Sequence, residues 1–440
     1  MSKIQVVWFR DLQTWSVALQ NAKQISSKFT LAKLGEVLID LTKSRTFIIK
    51  DNEFYQEPTI SSKTNLVSAR KQGLGKEFKV KKRVLILPND LVIARMHTQN
   101  GLYAFAKETF ASTTTFIPFE IKESKINKDF LFIILKMTLQ RLQKFDSVNR
   151  ETYTTDEILD LQIPLPPLEI QNKIVADIHS IQTKIKALQD EEKRLKDEIE
   201  AYIYIALGLS KPQITQKQKV FTVRFKDLER WDIAYNQGAY KRENNNAKLD
   251  KYHLQELCEI NPSVDMKELI RQDKNVSFIP MERLETDGKS FSPLPKKASL
   301  HKGFTKFQNN DLLWAKITPC MQNKKSVVVN GLENGVGFGS TEFFVLRAKD
   351  TKQTDICFIL QILRTDLVIE QAKLHFKGSA GQQRVPKEFL ENLQIPLPPL
   401  ETQKEIVAFV ESKTTHISNL TQERTTLQNS IESKLQKMLD

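Results

Sequence analysis

Two stretches of this chain step through apolar residues strictly by fours and threes. The first lines up Ile174, Ile178, Ile181, Ile185, Leu188, Leu195, Ile199 and Tyr202, with Glu192 as a polar interruption. The second lines up Ile406, Val410, Ile417, Leu420, Leu427, Ile431 and Met438, interrupted by Lys413, Arg424 and Lys434. So narrow a seam suits a coiled coil, whereas a helix lying on a globular core shows a wider stripe. The pattern predicts a long helix from about Leu168 to Leu207, stopped by Gly208 and Pro212, and a second helix at the C-terminal end. Two independent amphipathic helices, each packed on its own domain, are the alternative; neither seam is broad enough to bury well alone. His179 and His416 fall off the seam and read as solvated.

Each seam follows the same nine residues, Leu-Gln-Ile-Pro-Leu-Pro-Pro-Leu-Glu, at 161–169 and again at 393–401. The prolines force an extended path and forbid helix up to the last of them, and Glu169 and Glu401 then fall where the helix dipole favours a carboxylate. Both copies continue Glu-x-Gln-x-x-Ile-Val-Ala. Weaker echoes keep the same order. Phe9–Ala18 answers Phe225–Ala234, Leu34-Gly-Glu36 answers Leu254-Gln-Glu256, Asn89–Arg95 answers Asn310–Lys316, and Ser112–Phe116 answers Ser340–Phe344. Short β-like runs (46–50, 83–87) and a helical stretch around 128–143 fill the first unit. Trp15 and Trp231 read as core anchors where each unit begins. The predicted order is a globular unit over 1–162, a long helix over 163–208, a polar linker over 209–222, a second globular unit over 223–394 and a long helix over 395–440.

Composition narrows the partners. The 440 residues carry a formal net charge of +13, an excess that favours a polyanion. No run of about 18 apolar residues marks a membrane span, and the N-terminus lacks a secretory pattern. Cys258, Cys320 and Cys357 lie far apart without metal-ligand spacing, which fits a reducing cytoplasm and neither a disulfide framework nor a zinc site. No cofactor is expected in this chain. A Gly-rich methyltransferase loop, an Asn/Asp-Pro-Pro-aromatic motif and a phosphate-binding Gly-x-x-x-x-Gly-Lys-Ser/Thr loop are all missing; Asn261-Pro-Ser263 reads as a turn.

The repeated Pro-Leu-Pro-Pro-Leu-Glu-x-Gln stretches, Arg230-Trp231-Asp232, Phe278–Glu282, Thr318–Lys324, Gly339–Phe343 and Gly381–Val385 resemble the specificity subunit of Type I restriction–modification systems. The first unit lacks counterparts to Thr318-Pro-Cys and Gly381-Gln-Gln-Arg. The resemblance implies two target recognition domains, each reading one part of a bipartite sequence in double-stranded DNA. It also implies that the long helices pack antiparallel as a spacer and dock two modification (methyltransferase) subunits. S-adenosylmethionine is then expected on those subunits, and ATP and Mg on any restriction (motor-nuclease) subunits. The expected fold class is α+β: two duplicated mixed α/β target recognition domains separated by two long helices forming an antiparallel coiled coil. A coiled-coil scaffold with basic, non-specific nucleic-acid-binding domains is the rival reading, and a modification enzyme with a degenerate site a third.

Candidate DNA contacts divide by chemistry. Arg and Lys suit guanine edges, Asn and Gln suit adenine, and scattered lysines suit phosphate. Gln322, Asn323, Lys324 and Lys325, with Lys316, precede or follow the Thr318-Pro319 turn, and Gln382, Gln383 and Arg384 lie beside Gly378 and Gly381. In the first unit Gln99 and Asn100 follow Arg95. Arg70, Lys71, Lys79, Lys81 and Lys82 sit in a basic run over 70–83 read as a loop or solvated strand edge, and Lys296, Lys297 and Lys302 form a second group; both are assigned to phosphate.

Overall fold

The computed structural model describes residues 27–61, 64–140, 142, 152–209, 249–379 and 381–439. Trp15, Trp231, the Phe9–Ala18 and Phe225–Ala234 echoes and nearly all of the predicted linker lie outside the described residues. Contacts group the chain into Met1–Lys186 with Thr425–Asp440, and Ala187–Arg424. Each unit therefore holds part of both long helices.

In the first unit, β1 (Leu31–Lys33) pairs antiparallel with β11 (Gln162–Pro164), so the Gln-Ile-Pro of the repeat is a strand before it is a helix start. A four-stranded sheet follows in the order β2 (Leu38–Asp40), β10 (Phe116–Ile121), β7 (Leu91–Ala94), β8 (Tyr103–Phe105). The helix Lys128–Gln140 packs on it, and Leu91, Ile93, Phe119, Phe130, Leu135 and Ile163 share one core with Ile174 and Ile178 of the first long helix. A second layer holds β3 (Thr46–Ile48), β6 (Lys82–Ile86) and β9 (Phe110–Ser112), beside a hairpin of β4 (Phe54–Ser61) and β5 (Leu66–Leu74). Of the two readings of the basic run over 70–83, the strand holds and the loop does not: the run is the end of one strand, a short turn and the start of another.

The second unit repeats the plan. β12 (Lys251–His253) pairs with β21 (Gln394–Pro396), and a sheet runs β13 (Cys258–Ile260), β20 (Phe343–Ala348), β17 (Leu312–Ala315), β18 (Ser326–Val328). Helices Ile356–Leu363 and Asp366–Leu374 cover it. The second layer is one sheet in the order β15 (Leu294–Lys297), β14 (Asn275–Ile279), β19 (Val336–Gly339), β16 (Thr305–Gln308), with β14 and β19 parallel. Strand register corrects one sequence echo. Phe116 pairs with Ala94 and Phe343 with Ala315, so Phe116 answers Phe343 and the Ser112–Phe116 alignment is one residue out.

Leu168–Leu207 and Leu400–Leu439 are both single helices of 40 residues, about 60 Å each at 1.5 Å per residue. Every predicted apolar seam position whose burial is described, from Ile174 to Tyr202 and from Ile406 to Ile431, is buried or half-buried, while His179 and His416 are exposed. Within the first unit Lys434 stands 3.7 Å from Asp177. Within the second, Arg424 approaches Glu192 at 3.2 Å, Lys413 bonds Glu198 at 2.6 Å, and Tyr202 stacks on Phe409 with centroids 4.0 Å apart. As one helix advances the other recedes, so the pairing is antiparallel. The Glu192 carboxylate also accepts from the Thr421 hydroxyl at 3.1 Å, while the buried Arg424 Nε–H is not aligned to donate.

Candidate nucleic-acid interface

Both units build the same frame at the end of a central strand. After β7, the Arg95 N–H donates to the Thr115 carbonyl (2.8 Å) and its carbonyl accepts from Tyr153 (2.9 Å). After β17, Lys316 donates to Glu342 (2.9 Å) and accepts from Val385 (2.9 Å). The Asn-Asp turns before these strands also match. Asn89 and Asn310 take positive φ, and the buried Asp90 and Asp311 each cap a backbone N–H and hold an arginine, Arg45 and Arg347. Asparagine tolerates that backbone where most residues do not.

From this frame the loops diverge. In the second unit the Thr318 N–H donates to the Gln383 carbonyl (2.9 Å), which joins the 316–325 loop to the 377–385 segment. The loop coils on itself through Met321 to Ile317, Asn323 to Pro319 and Lys325 to Cys320. The Thr318 hydroxyl donates to the Gln322 side-chain oxygen (2.7 Å), leaving the exposed amide nitrogen of Gln322 to donate outward beside the exposed Asn323. Lys324 pairs with Asp366 (2.6 Å), Lys325 donates to the Met281 carbonyl (2.9 Å), and the Lys316 ammonium lies 5.1 Å from the Phe344 ring. Arg384 forks onto Glu342, which raises its pKa above the ordinary value, and also donates to the Gln382 carbonyl (2.8 Å). The predicted residues Lys316, Gln322 to Lys325 and Gln382 to Arg384 therefore share one loop cluster.

Beneath it lies a residue that motif reading missed. Arg364 donates to the carbonyls of Lys324 (2.6 Å) and Thr286 (2.8 Å) and to the Ser326 hydroxyl (3.2 Å). Burial pushes its pKa down to about 10. Gly288, at φ +81, leaves the room: a Cβ there would lie 2.6 Å from the guanidinium carbon. Nothing near Arg364 in sequence signals this, because its partners come from segments 38 and 78 residues away.

The other basic group of this unit belongs to strand β15 and the turn after it. Lys296 lies 3.5 Å over the Phe278 ring, Lys297 bonds the Asp273 carbonyl (2.7 Å) and carboxylate (3.2 Å), and Lys302 is exposed.

In the first unit, Arg95 donates its side chain to the Tyr153 carbonyl (3.2 Å), Gln99 is half-buried, and Asn100 is exposed on a short turn between His97 (φ +54) and Gly101 (φ +74). Arg70 and Lys71 lie on β5. Lys71 donates to the Glu77 carbonyl (2.6 Å), and Lys81 is tied to Asp51 (2.5 Å) and the Gly75 carbonyl (2.9 Å). Lys79 and Lys82 are exposed, with no side-chain partner among the described residues. Arg83 is buried against Glu57 and the Val80 carbonyl.

Among the described residues, no group of His, Cys, Asp and Glu is arranged to hold a metal ion. Burial pushes the Cys258 thiol up to about 12 and Cys357 to about 11, opposite to what a nucleophilic thiol requires. Asn261 extends the ladder beside Val345 through its own N–H (2.6 Å) and side-chain oxygen (3.1 Å). No described helix is long and apolar enough to cross a membrane.

The Type I restriction enzyme EcoAI specificity subunit of Escherichia coli is 38% identical over 159 residues, 35% of this chain and 26% of the relative. The EcoEI specificity subunit of the same organism is 36% identical over 156 residues, with the same coverage. The aligned stretch thus spans about a quarter of either curated relative. A solved chain described as "Structural basis underlying complex assembly and conformational transition of the type I R-M system" has the same fold, with a TM-score of 0.56 over 95% of this chain and 98% of its own at 17% identity. The family model described as the Type I restriction modification DNA specificity domain matches residues 26–201 and again 246–431, each time one globular unit and most of one long helix. The chain belongs to that family, and carries its domain twice.

Proposed function

We propose that this chain is the sequence-reading subunit of a Type I restriction–modification complex. Each unit reads one part of a bipartite target in double-stranded DNA, and the chain directs adenine methylation by two modification subunits docked on it. S-adenosylmethionine is bound by those subunits, and ATP and Mg by any restriction subunits; this chain contributes recognition.

One observation carries the reading. A single backbone frame occurs twice, with matched hydrogen bonds at Arg95 and Lys316, and the loops leaving it differ in sequence and length. A repeated frame with divergent polar loops suits two different short sequences. The net charge of +13 supplies the attraction to a polyanion. The exposed Asn323, and Gln322 once its oxygen leaves the Thr318 hydroxyl, suit base edges, for which amides favour adenine. Lys79, Lys82 and Lys302 suit phosphate, and Arg384, held by Glu342, serves to set the loop that carries Gln382.

Footprinting the full chain with its modification subunits tests this. Two protected segments separated by an unspecific gap are expected. Uniform protection of any duplex would instead identify a non-specific scaffold.

A further inference from the structure

The hairpin of β4 and β5 is the least explained basic feature of the first unit. Its inner strand is anchored: Pro58 and Ile60 are buried, and Glu57 holds the buried Arg83 at 3.1 Å. The outer strand is the reverse. Ser68, Ala69, Arg70, Lys71 and Gln72 are exposed one after another, so neither face of β5 is covered there. The base of the hairpin is fixed, since Gly75 donates to Glu53 (2.8 Å), Leu74 donates to the Glu77 carboxylate (2.9 Å), and Gly73 leaves space for that carboxylate. A hydrogen-bonded foot thus carries a strand on which Ser68, Arg70, Lys71 and Gln72 present exposed polar side chains.

The pairing breaks at one point. Glu57 faces Lys71 and Pro58 faces Ala69, so Arg70 is the extra residue of a β-bulge. Proline has no N–H to offer the ladder, which is why the extra residue is tolerated opposite it. A bulge bends its strand and re-aims a side chain. The two basic residues at the bulge then part company. Lys71 folds back, donating to the Glu77 carbonyl at 2.6 Å with its ammonium 4.7 Å from the Phe78 ring. Arg70 has no hydrogen bond or ion pair among the described residues. A guanidinium on an anchored strand, with no protein partner, is a five-donor fork directed at solvent.

From this we infer that the outer strand of the hairpin enters the major groove and that Arg70 reads a guanine there. The inference rests on the subunit reading above and sharpens it: Arg70 leaves the phosphate-contact group and becomes a base contact. The major groove, about 12 Å wide, admits a β-ribbon, and the arginine fork matches the two acceptors on a guanine edge. The neighbouring Lys79 and Lys82, exposed on the turn and strand that follow, fit the flanking phosphates. Loss of a phosphate contact weakens binding on every sequence, whereas loss of a base contact relaxes one position of the target.

The test uses the full chain with its modification subunits and maps methylated adenines on a random-sequence duplex library. The unsubstituted chain first establishes the target. In Arg70→Ala, one guanine position in one part of the target is expected to become degenerate, with methylation of the parental site about tenfold slower or worse and the other part unchanged. Arg70→Lys keeps the charge and is expected to relax the same position. Because Arg70 is exposed and has no hydrogen bond or ion pair among the described residues, both variants should melt with the parent. An unchanged target with uniformly weaker, more salt-tolerant binding would make Arg70 a phosphate contact and overturn the inference, as would no change at all. An unsubstituted chain that marks no bipartite target overturns the subunit reading itself, which is a separate and visible failure.

Discussion

Gln171 and Gln403 sit one turn into the two long helices, and both are fully buried. Gln171 accepts from the Asn127 N–H (2.7 Å) and donates to the carbonyls of Pro166 (2.8 Å) and Lys125 (3.3 Å). Gln403 repeats the clamp on Asp355 (2.9 Å), Pro398 (2.9 Å) and Gln353 (2.9 Å). These bonds join a helix start to the segment that begins the helix Lys128–Gln140 in one unit and Ile356–Leu363 in the other. Replacing either glutamine by Ala leaves a half-buried N–H and two carbonyls without their partner, and is expected to cost about 1–3 kcal/mol, measurable by urea unfolding. A loss below a few tenths would mean that water takes over the role. The glutamines belong to the repeated motif that the sequence displays, yet their burial was not legible, because a polar residue in a first helical turn ordinarily faces solvent. Arg364 was still less legible. Its partners are loop carbonyls that only the fold assembles, so Arg364→Ala should lower stability by about 2–3 kcal/mol. It should also relax the part of the target read by Gln322 and Asn323. Gly288→Ala, which crowds the same guanidinium, should act in the same direction; a variant that melts early but keeps its methylation target intact would restrict Arg364 to stability.

The long helices were the most legible elements. Their three-and-four steps need only local information, and Leu168–Leu207 appears with the bounds its Pro-Pro start and Gly208 stop suggest. Register was not legible, because any heptad slide keeps apolar residues facing one another. The polar positions settle it: Glu192 meets Arg424, with Thr421 alongside. Removing Arg424 alone leaves a carboxylate that is 9% exposed without its cation and should destabilise the pair. Replacing Glu192 and Arg424 together by Leu should be neutral or stabilising in thermal melts while loosening register, visible as extra products when cysteines placed along the two helices are cross-linked. A double variant with a single cross-linked register would show that the apolar seam alone sets it. Strands of the second layer were harder to read than helices. In 70–83 the density of Lys and Arg leaves a loop and a solvated strand edge both open; the run is shared between β5 and β6, and Arg83 is buried on Glu57 rather than solvated. Charge on an edge strand guards against stray pairing and hides the strand from pattern reading.

For the molecule as a whole, the duplication gave the architecture early, through the repeated motif and the Asn-Asp turns. The loops that leave the common frame stayed uninterpretable until their hydrogen bonds were known. If the helices set the gap between two target parts, one heptad added to each should widen it. The observed register places the matched insertion points after Leu188 and after Arg424, which leaves the Glu192–Arg424 contact intact. Seven residues add about 10 Å, close to three base pairs. Both target parts should persist with the gap widened, and an unchanged gap would remove the helices as the ruler.

The proposed function requires that one chain read two sequences, one per unit. It is tested most directly by mapping every methylated adenine left by the full chain with its modification subunits on duplex DNA. The expected map is one target of two specified parts separated by a fixed run of unspecified bases. A continuous target, or methylation scattered without sequence, would contradict it.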